Sequence, residues 1–291
     1  MTFGTAVVNY EPCALPTGSA LWRANRGHVR ITLFLETLMS AQVLAAAQCA
    51  IRAGDMSANL TLHMDFMRHA REQGVRLLLF PELSLTGYEP TLAEVLAQDI
   101  DSPLLSPLRH LARAASMTTV VGLPLRLPNH DKPLIAAVTL HQDGSTGVYT
   151  KQHLHPGEEQ FFSAGNGGDL LRIADLPIAL SVCADFSHPE HSAHAAKQGA
   201  QLYAASVLIG EAGYSHDWSL LQNCSKRHGI AVLMANHGGP TGGWAAAGQS
   251  AFWDEQGQCV ASTDGVGNRL LIVSKQPHGW QGFETPVSVT S

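Results

Sequence analysis

In Val75-Arg-Leu-Leu-Leu-Phe80-Pro-Glu82-Leu-Ser-Leu-Thr-Gly-Tyr88, an apolar run of strand length stops at a proline and meets a carboxylate. The run is polar only at Arg76, so it reads as a strand buried on both faces, the kind found inside α/β sheets. Upstream, residues 58–73 place Leu60, Leu62, Met64, Phe66, Met67 and Ala70 at spacings compatible with a helix, and Gly74 is a natural stop. Before that, residues 43–51 form a short Ala-rich apolar run that reads as a first buried strand. Strand, helix and strand therefore follow one another within about forty residues.

The alternation continues outward. Residues 92–117 read as helix broken by Pro103 and Pro107, and 118–123 and 134–140 read as strands. His141-Gln-Asp-Gly144 is a hairpin turn, with 145–151 as the return strand. Strands are then expected at 170–173, 178–182, 201–208, 230–235, 249–253, 259–262 and 269–273, with helices at 191–199 and 217–228. The class is α/β, and the hairpins make the sheets mixed rather than purely parallel. Residues 1–40 lack a sustained period and are set apart as an N-terminal extension. Residues 41–280 form one domain, and 281–291 are read as a C-terminal tail.

Composition narrows the function. The chain has 291 residues, 45% hydrophobic and 14% charged, with a formal net charge of −6. That is globular, and a mildly acidic chain without a basic run is a poor nucleic-acid binder. The five cysteines are widely spaced and contain no CxxC pair, which argues against a zinc ribbon or a disulfide framework and for a reduced, cytoplasmic setting. No apolar stretch reaches membrane-spanning length, and no signal peptide is evident.

Three segments carry chemistry. Glu82 lies just past the end of an apolar strand, where α/β sheets place reacting groups and where desolvation would raise a carboxyl pKa toward that of a general base. Lys151 ends another strand, ahead of a loop with Glu158, Glu159, Phe161 and Phe162. A lysine held there can stabilise an oxyanion. Cys183 closes a third apolar strand and enters a turn and a helix, like a nucleophile elbow. Taken singly, each has a bland alternative: a solvated strand-end carboxylate, an exposed lysine, a buried structural thiol.

Taken together and in order, they resemble the nitrilase, or carbon–nitrogen hydrolase, superfamily. The PE-x-x-x-x-GY element is Pro81-Glu82 through Gly87-Tyr88. The lysine element with its FF-x-x-G tail is Lys151 through Gly165, and the C-x-D-x-x-x-PE element is Cys183 through Pro189-Glu190. Gly199-Ala200, Asn236 and Gly248-Gln-Ser250 also look like the family's, and the resemblance spans residues 42–275. It implies an α-β-β-α sandwich, two mixed sheets between helix layers, and a Glu82–Lys151–Cys183 triad acting through a thioester without metal or organic cofactor. It implies a second active-site glutamate, Glu158, with Glu159 adjacent. It implies the backbone N–H of Ala184 as a second oxyanion donor, with Tyr88 and Asn236 against the substrate. Members commonly pair as homodimers or larger homo-oligomers. An amide, a carbamoyl amine or an ω-amide of a small acid is the expected substrate. An acyltransferase or a catalytically silent binding protein on the same scaffold is the alternative.

Other features are weaker. His188, His191 and His194 lie three apart but lack the arrangement of a helical zinc motif, and read as solvent-facing or supporting histidines. His153 and His155 read as loop residues near the pocket. The glycine-rich run Asn236–Trp244 lacks phosphate-loop spacing and reads as a pocket-lining or interface loop, with Trp244 a further candidate substrate contact. Cys49 and Cys224 read as packing residues.

Overall fold

Leucine runs with no polar break need cover on both sides, and that requirement builds the layers. The computed structural model describes residues 42–290, so the N-terminal extension at 1–40 lies outside the described residues. Strand β1 is Val43–Gln48 and β2 is Leu77–Leu79, paired in parallel. Along β2 the faces alternate. Leu77 and Leu79 enter a core between two sheets, whereas Leu78 and the following Phe80 face an outer helix layer.

That layer is helix α1, Met56–Glu72, and helix α2, Ser106–Ala114. Asp55 caps α1 by accepting from the Ala58 N–H at 3.0 Å, and Phe66, Met67 and Ala70 bury against the sheet. Truncating Phe66 to alanine there would cost about 3–5 kcal/mol. The first sheet has seven strands in the order β13-β12-β1-β2-β3-β4-β5, with β3 Thr118–Leu125, β4 Leu134–Leu140, β5 Thr146–Thr150, β12 Arg269–Gln276 and β13 Gly279–Pro286. The second has six in the order β11-β10-β9-β8-β7-β6. They are β6 Leu171–Ile173, β7 Leu176–Val182, β8 Leu202–Val207, β9 Ala231–Asn236, β10 Ala251–Trp253 and β11 Cys259–Ser262.

Each sheet has a parallel trio at its centre, β1-β2-β3 and β7-β8-β9, with antiparallel neighbours outside. Parallel neighbours need long crossovers. In the second sheet these carry helix α3, Pro189–Lys197, and helix α4, Tyr214–His228, which pack on its outer face through Ala195, Leu221 and Cys224. Ile178, Leu180, Leu202, Ala204 and Leu233 on the inner face meet Leu44, Leu77, Leu79 and Ile135 of the first sheet. The result is helices, sheet, sheet, helices: the expected α-β-β-α sandwich in a single domain.

Two expectations are corrected. The helix expected over 92–117 is cut into 3₁₀ turns at Pro90–Leu92 and Pro103–Leu105, one turn at Ala93–Leu96, and α2. Proline lacks the N–H a helix interior needs, so Pro103 and Pro107 start elements instead of interrupting one. The last strand runs to Gln276 and returns as β13, so the tail set at 281–291 is in part an edge strand. Its residues alternate between exposed and half-buried, with Phe283 outward, which leaves almost no apolar period to read. Of the two readings of His191, solvent-facing and supporting, its burial and its bonds to Tyr149 and Tyr203 rule out the first and leave the second. Cys49 and Cys224 are buried free thiols in the helix-facing cores, as expected. Among the described residues no helix is long and apolar enough to cross a membrane.

Candidate active site

Glu82, Lys151 and Cys183 each follow the C-terminal end of a strand: β2, β5 and β7. The first two strands belong to one sheet and the third to the other, so the three side chains meet where the inter-sheet core opens. Lys151 Nζ donates to Glu82 Oε1 at 2.7 Å and to Glu158 Oε1 at 2.8 Å. All three side chains are essentially inaccessible to solvent. Two carboxylates on one ammonium leave the cluster with an excess negative charge. Burial, together with the Glu158 charge and against the pull of Lys151, pushes Glu82 up to about 7. Burial alone would lower the Lys151 pKa, but Glu82, Cys183 and Glu158 more than reverse it, and the ammonium stays charged. Glu82 Oε2 is buried without a hydrogen-bond partner, and the Cys183 thiol donates to the Leu208 carbonyl at 3.6 Å.

Burial and the neighbouring Glu82 charge raise the Cys183 thiol well above its ordinary value, with Lys151 opposing. The resting nucleophile is therefore a neutral thiol beside a carboxylate poised near neutrality. Its backbone sits at φ +43°, a left-handed turn that a non-glycine residue rarely adopts, and Leu83 beside Glu82 sits at φ +50°. Both reactive side chains thus leave their strands on sharp turns.

Hydrogen bonds lock those turns. Asp185 Oδ2 accepts from Val182 N–H at 3.1 Å, and its Oδ1 accepts from the N–H groups of Gln152 and His153 at 3.0 and 2.8 Å. One buried carboxylate thereby ties the cysteine turn to the loop that begins at Lys151. Beneath Glu82, the His237 ring donates from Nε2 to the Glu82 carbonyl at 2.6 Å; a carbonyl can only accept, which sets the tautomer. Burial holds His237 down at about 4, so the ring stays neutral. Gly122 on β3 completes the seat: a Cβ there would lie 2.4 Å from Leu83 N and 2.5 Å from Pro81 O.

Glu82 and Cys183 open into a cavity of about 220 Å³, lined also by Tyr88, Glu158, Ala184, Leu208, Asp217 and Trp244, with Lys151 behind the two glutamates. Tyr88 donates from its hydroxyl to Glu158 Oε1 at 2.7 Å. Of the two adjacent glutamates, Glu158 is buried against Lys151, and its Oε2 accepts from His155 N–H at 2.8 Å. Glu159 faces solvent and accepts from Gly157 N–H.

Asn236 is placed differently from the expected substrate contact. It is fully buried and all its side-chain capacity is spent on backbone. Oδ1 accepts from Ile209 N–H and His237 N–H, and Nδ2 donates to the carbonyls of Ile209 and Gly248. It braces the loop after β8 and does not line the cavity. His188, His191 and His194 serve separate purposes: His191 bonds Tyr149 and Tyr203, and the His188 ring stacks on His153 at 3.8 Å. Among the described residues no group of three or more His, Cys, Asp or Glu side chains is arranged to hold a metal ion. Sequence reasoning missed the roles of Asp185, His237 and Asp217. Only Asp185 carried a signal, two positions beyond the cysteine.

A double-sheet sandwich with a thiol, a carboxylate and an ammonium gathered at its strand ends is the architecture of the nitrilase superfamily. The Carbon-nitrogen hydrolase family profile matches residues 43–283, and the chain belongs to that family. It is an enzyme acting on carbon–nitrogen bonds other than peptide bonds. A hydrolase of Mycobacterium tuberculosis is 28% identical over 78% of this chain and 80% of its own length. An (R)-stereoselective amidase of a Pseudomonas species is 25% identical over 73% of this chain and 77% of its own. A cysteine-to-alanine mutant of the amidase from Nesterenkonia sp. AN1, solved in complex with butyramide, superposes with a TM-score of 0.73 at 32% identity, covering 80% of this chain and 90% of that one. A second structure of that amidase shows covalent addition of the acetamide moiety of fluoroacetamide at its active site cysteine; it matches with a TM-score of 0.74 at 32% identity, over 81% of this chain and 91% of that one.

Proposed function

We propose that this enzyme hydrolyses a small amide through a thioester on Cys183. The observation that carries the reading is Lys151 bridging Glu82 and Glu158 at 2.7 and 2.8 Å, two glutamates that line the cavity together with Cys183. Glu82 takes the thiol proton. The sulfur attacks the amide carbonyl carbon and forms a tetrahedral oxyanion. An ammonium has three N–H donors, and two are spent on Glu82 and Glu158, so the third N–H of Lys151 is left for that oxyanion, with the backbone N–H of Ala184 beside it. The C–N bond breaks as Glu82 returns its proton to the departing nitrogen, which leaves as ammonia or an amine. Water then attacks the thioester and gives a proton to Glu82. The C–S bond breaks, the acid departs, and the proton returns to the sulfur.

A base with a pKa of about 7 suits both proton transfers near neutrality. The cavity of about 220 Å³ is smaller than the roughly 300–1,000 Å³ of drug-sized pockets and fits a short acyl group. The butyramide complex and the acetamide adduct of the Nesterenkonia amidase support the same choice of substrate and nucleophile.

Ammonia release from a panel of short primary amides, with Cys183→Ala as control, tests this. Release by the native enzyme alone is expected, together with an acyl adduct on Cys183 in the quenched protein by intact mass. Turnover by Cys183→Ala would overturn the assignment.

A further inference from the structure

The catalytic trio explains only part of the cavity. Asp217, Trp244 and His155 also line it, and the thioester chemistry uses none of them. Asp217 stands in the first turn of α4, where the helix dipole favours an acid. That alone would account for an exposed residue, but Asp217 is half-buried in the cavity wall. Burial raises its carboxyl pKa, and only the charges of His216 and His155 pull it down. Among the described residues no group donates it a hydrogen bond and no lysine or arginine pairs with it. Such a carboxylate gains more from a bound cation or donor than an exposed one does.

Trp244 lines the same cavity, and its ring meets His155, the residue whose charge also reaches Asp217. Trp244 is 45% exposed, unusual for a tryptophan, yet firmly held. Its ring lies over Gly210, where a Cβ would be 3.2 Å from Cε3, and is edge-on to His155 at 5.9 Å. Its backbone closes a turn with Thr241, and Glu89 accepts from Gly242 N–H at 2.9 Å within that turn. A fixed, open aromatic in one cavity with an unpaired carboxylate is the pairing that receives an ammonium or guanidinium group.

The charges around the cavity point the same way. Glu82, Glu158 and Asp217 line it, and among the described residues no arginine or lysine does. Lys151 behind them is committed to Glu82 and Glu158. Among the described residues, a substrate carboxylate would find carboxylates in this cavity and no free cation to meet it. Glu82 Oε2, buried and unpartnered, marks the reacting end of the same cavity as built for a ligand.

We propose that Asp217, with Trp244 in the same lining, is a subsite for a positively charged group, so that the preferred substrates are short amides carrying an ammonium or guanidinium at the end remote from the scissile carbonyl. This inference rests on the amidase reading above and sharpens it. It sets aside the ω-amides of small acids that the sequence left open.

Three amides of equal length test it: 5-aminopentanamide, pentanamide and glutaramate, assayed at about pH 8. A charge-assisted contact predicts kcat/KM at least about ten-fold higher for the amine than for pentanamide, with glutaramate lowest. Asp217→Asn should collapse the amine-to-neutral ratio to within about three-fold, and Asp217→Lys should move glutaramate ahead of the amine. Equal use of amine and neutral amide by the native enzyme, or a ratio unmoved by Asp217→Asn, overturns the subsite. Binding of the same three compounds to Cys183→Ala by calorimetry separates the two claims. If no amide is turned over but the amine binds at least about ten-fold tighter, the amidase reading fails and the subsite stands; if no amine preference is seen in binding either, both fail.

Discussion

The Tyr149 hydroxyl donates to Asp185 Oδ2 at 2.7 Å, and through that contact a buried chain of hydrogen bonds reaches the catalytic turn. Each direction in the chain is forced. Tyr149 gives its only proton to the carboxylate, so it accepts from His191 Nε2 at 2.7 Å, and His191 Nδ1 accepts from the Tyr203 hydroxyl at 2.8 Å. The chain needs a neutral imidazole, and burial lowers the His191 pKa accordingly. Asp185 is therefore a positioning residue that sets Lys151 against Cys183 through backbone, without touching the cavity.

Asp185→Ala orphans three backbone N–H groups and the Tyr149 hydroxyl, at roughly 1–3 kcal/mol each when buried. We expect a fall in Tm of about 6 °C or more, read by calorimetry. Asp185→Asn and Tyr149→Phe should be milder. The distinguishing measurement is the pH profile. Lys151 is what lowers the Glu82 pKa, so a loosened Lys151 should move the acidic limb of kcat/KM upward from about 7 and reduce kcat more than it raises KM. An unmoved limb in these variants would make Asp185 purely structural.

Glu82 itself trades stability for reactivity. Its pKa rises from 4.5 to about 7 on folding, so the folded state holds this proton more tightly than the unfolded chain. That contribution is fully present below the unfolded value and is lost as pH rises through the folded one; the shift corresponds to roughly 3 kcal/mol. Glu82→Gln removes the titration and leaves Lys151 paired with Glu158. The difference in Tm between Glu82→Gln and native should therefore grow in favour of the variant between about pH 5 and 8, while activity is abolished. A difference constant with pH would show that Glu82 does not carry the shift.

Lys151→Met should behave in the opposite sense. Without the ammonium, two buried carboxylates face each other uncompensated, at a cost of about 3–5 kcal/mol. The Glu82 pKa would climb further, because the Lys151 charge is the strongest influence holding it down. Urea unfolding at about pH 5.5 and 8 should show the deficit concentrated at the higher pH, and turnover should be absent at both. Equal deficits at the two values would argue that Glu82 is not ionised in the native site.

Much of this was legible in the chain because it is local. A strand buried on both faces is a nearly continuous apolar run, and Glu82 and Cys183 sit within three residues of such a run's end, whereas Lys151 directly follows a short, partly buried edge strand. What escaped was what depends on side-chain direction. Family resemblance picks Glu158 over the adjacent Glu159, but the physical reason lies in the fold, where the two share one 3₁₀ turn that points the first inward and the second out. Asn236 has the position of a pocket residue but spends both ends of its amide on backbone. Asp217 looks like any acid in a first helical turn; it shares the cavity with His155 and Trp244, which come from two distant loops. Strand β13 is a half-exposed edge broken by Gly282, so neither period nor hydropathy betrays it.

Gly122 offers a test of how tightly the base is seated, from a residue that touches neither substrate nor Cys183. It lies within β3, where it pairs with Ala137 and needs no unusual φ. Its lack of a side chain matters because the turn carrying Glu82 lies directly on it: a Cβ would stand 2.4 Å from Leu83 N, 2.5 Å from Pro81 O and 3.0 Å from the Glu82 carbonyl carbon. Those neighbours are backbone and cannot swing aside. Ser84, which accepts from Gly122 N–H at 3.2 Å and bonds the His63 ring at 2.9 Å, pins the turn from the other side. Gly122→Ala must therefore push Glu82 away from its seat, and a displacement near 1 Å at a catalytic group is enough to lower the rate about 100-fold. We expect kcat to fall by that order while the Cys183 thiol remains alkylated by iodoacetamide, which would place the damage at the base and not at the nucleophile. Native kcat in Gly122→Ala would mean that the turn can yield and that Glu82 is not held by this contact.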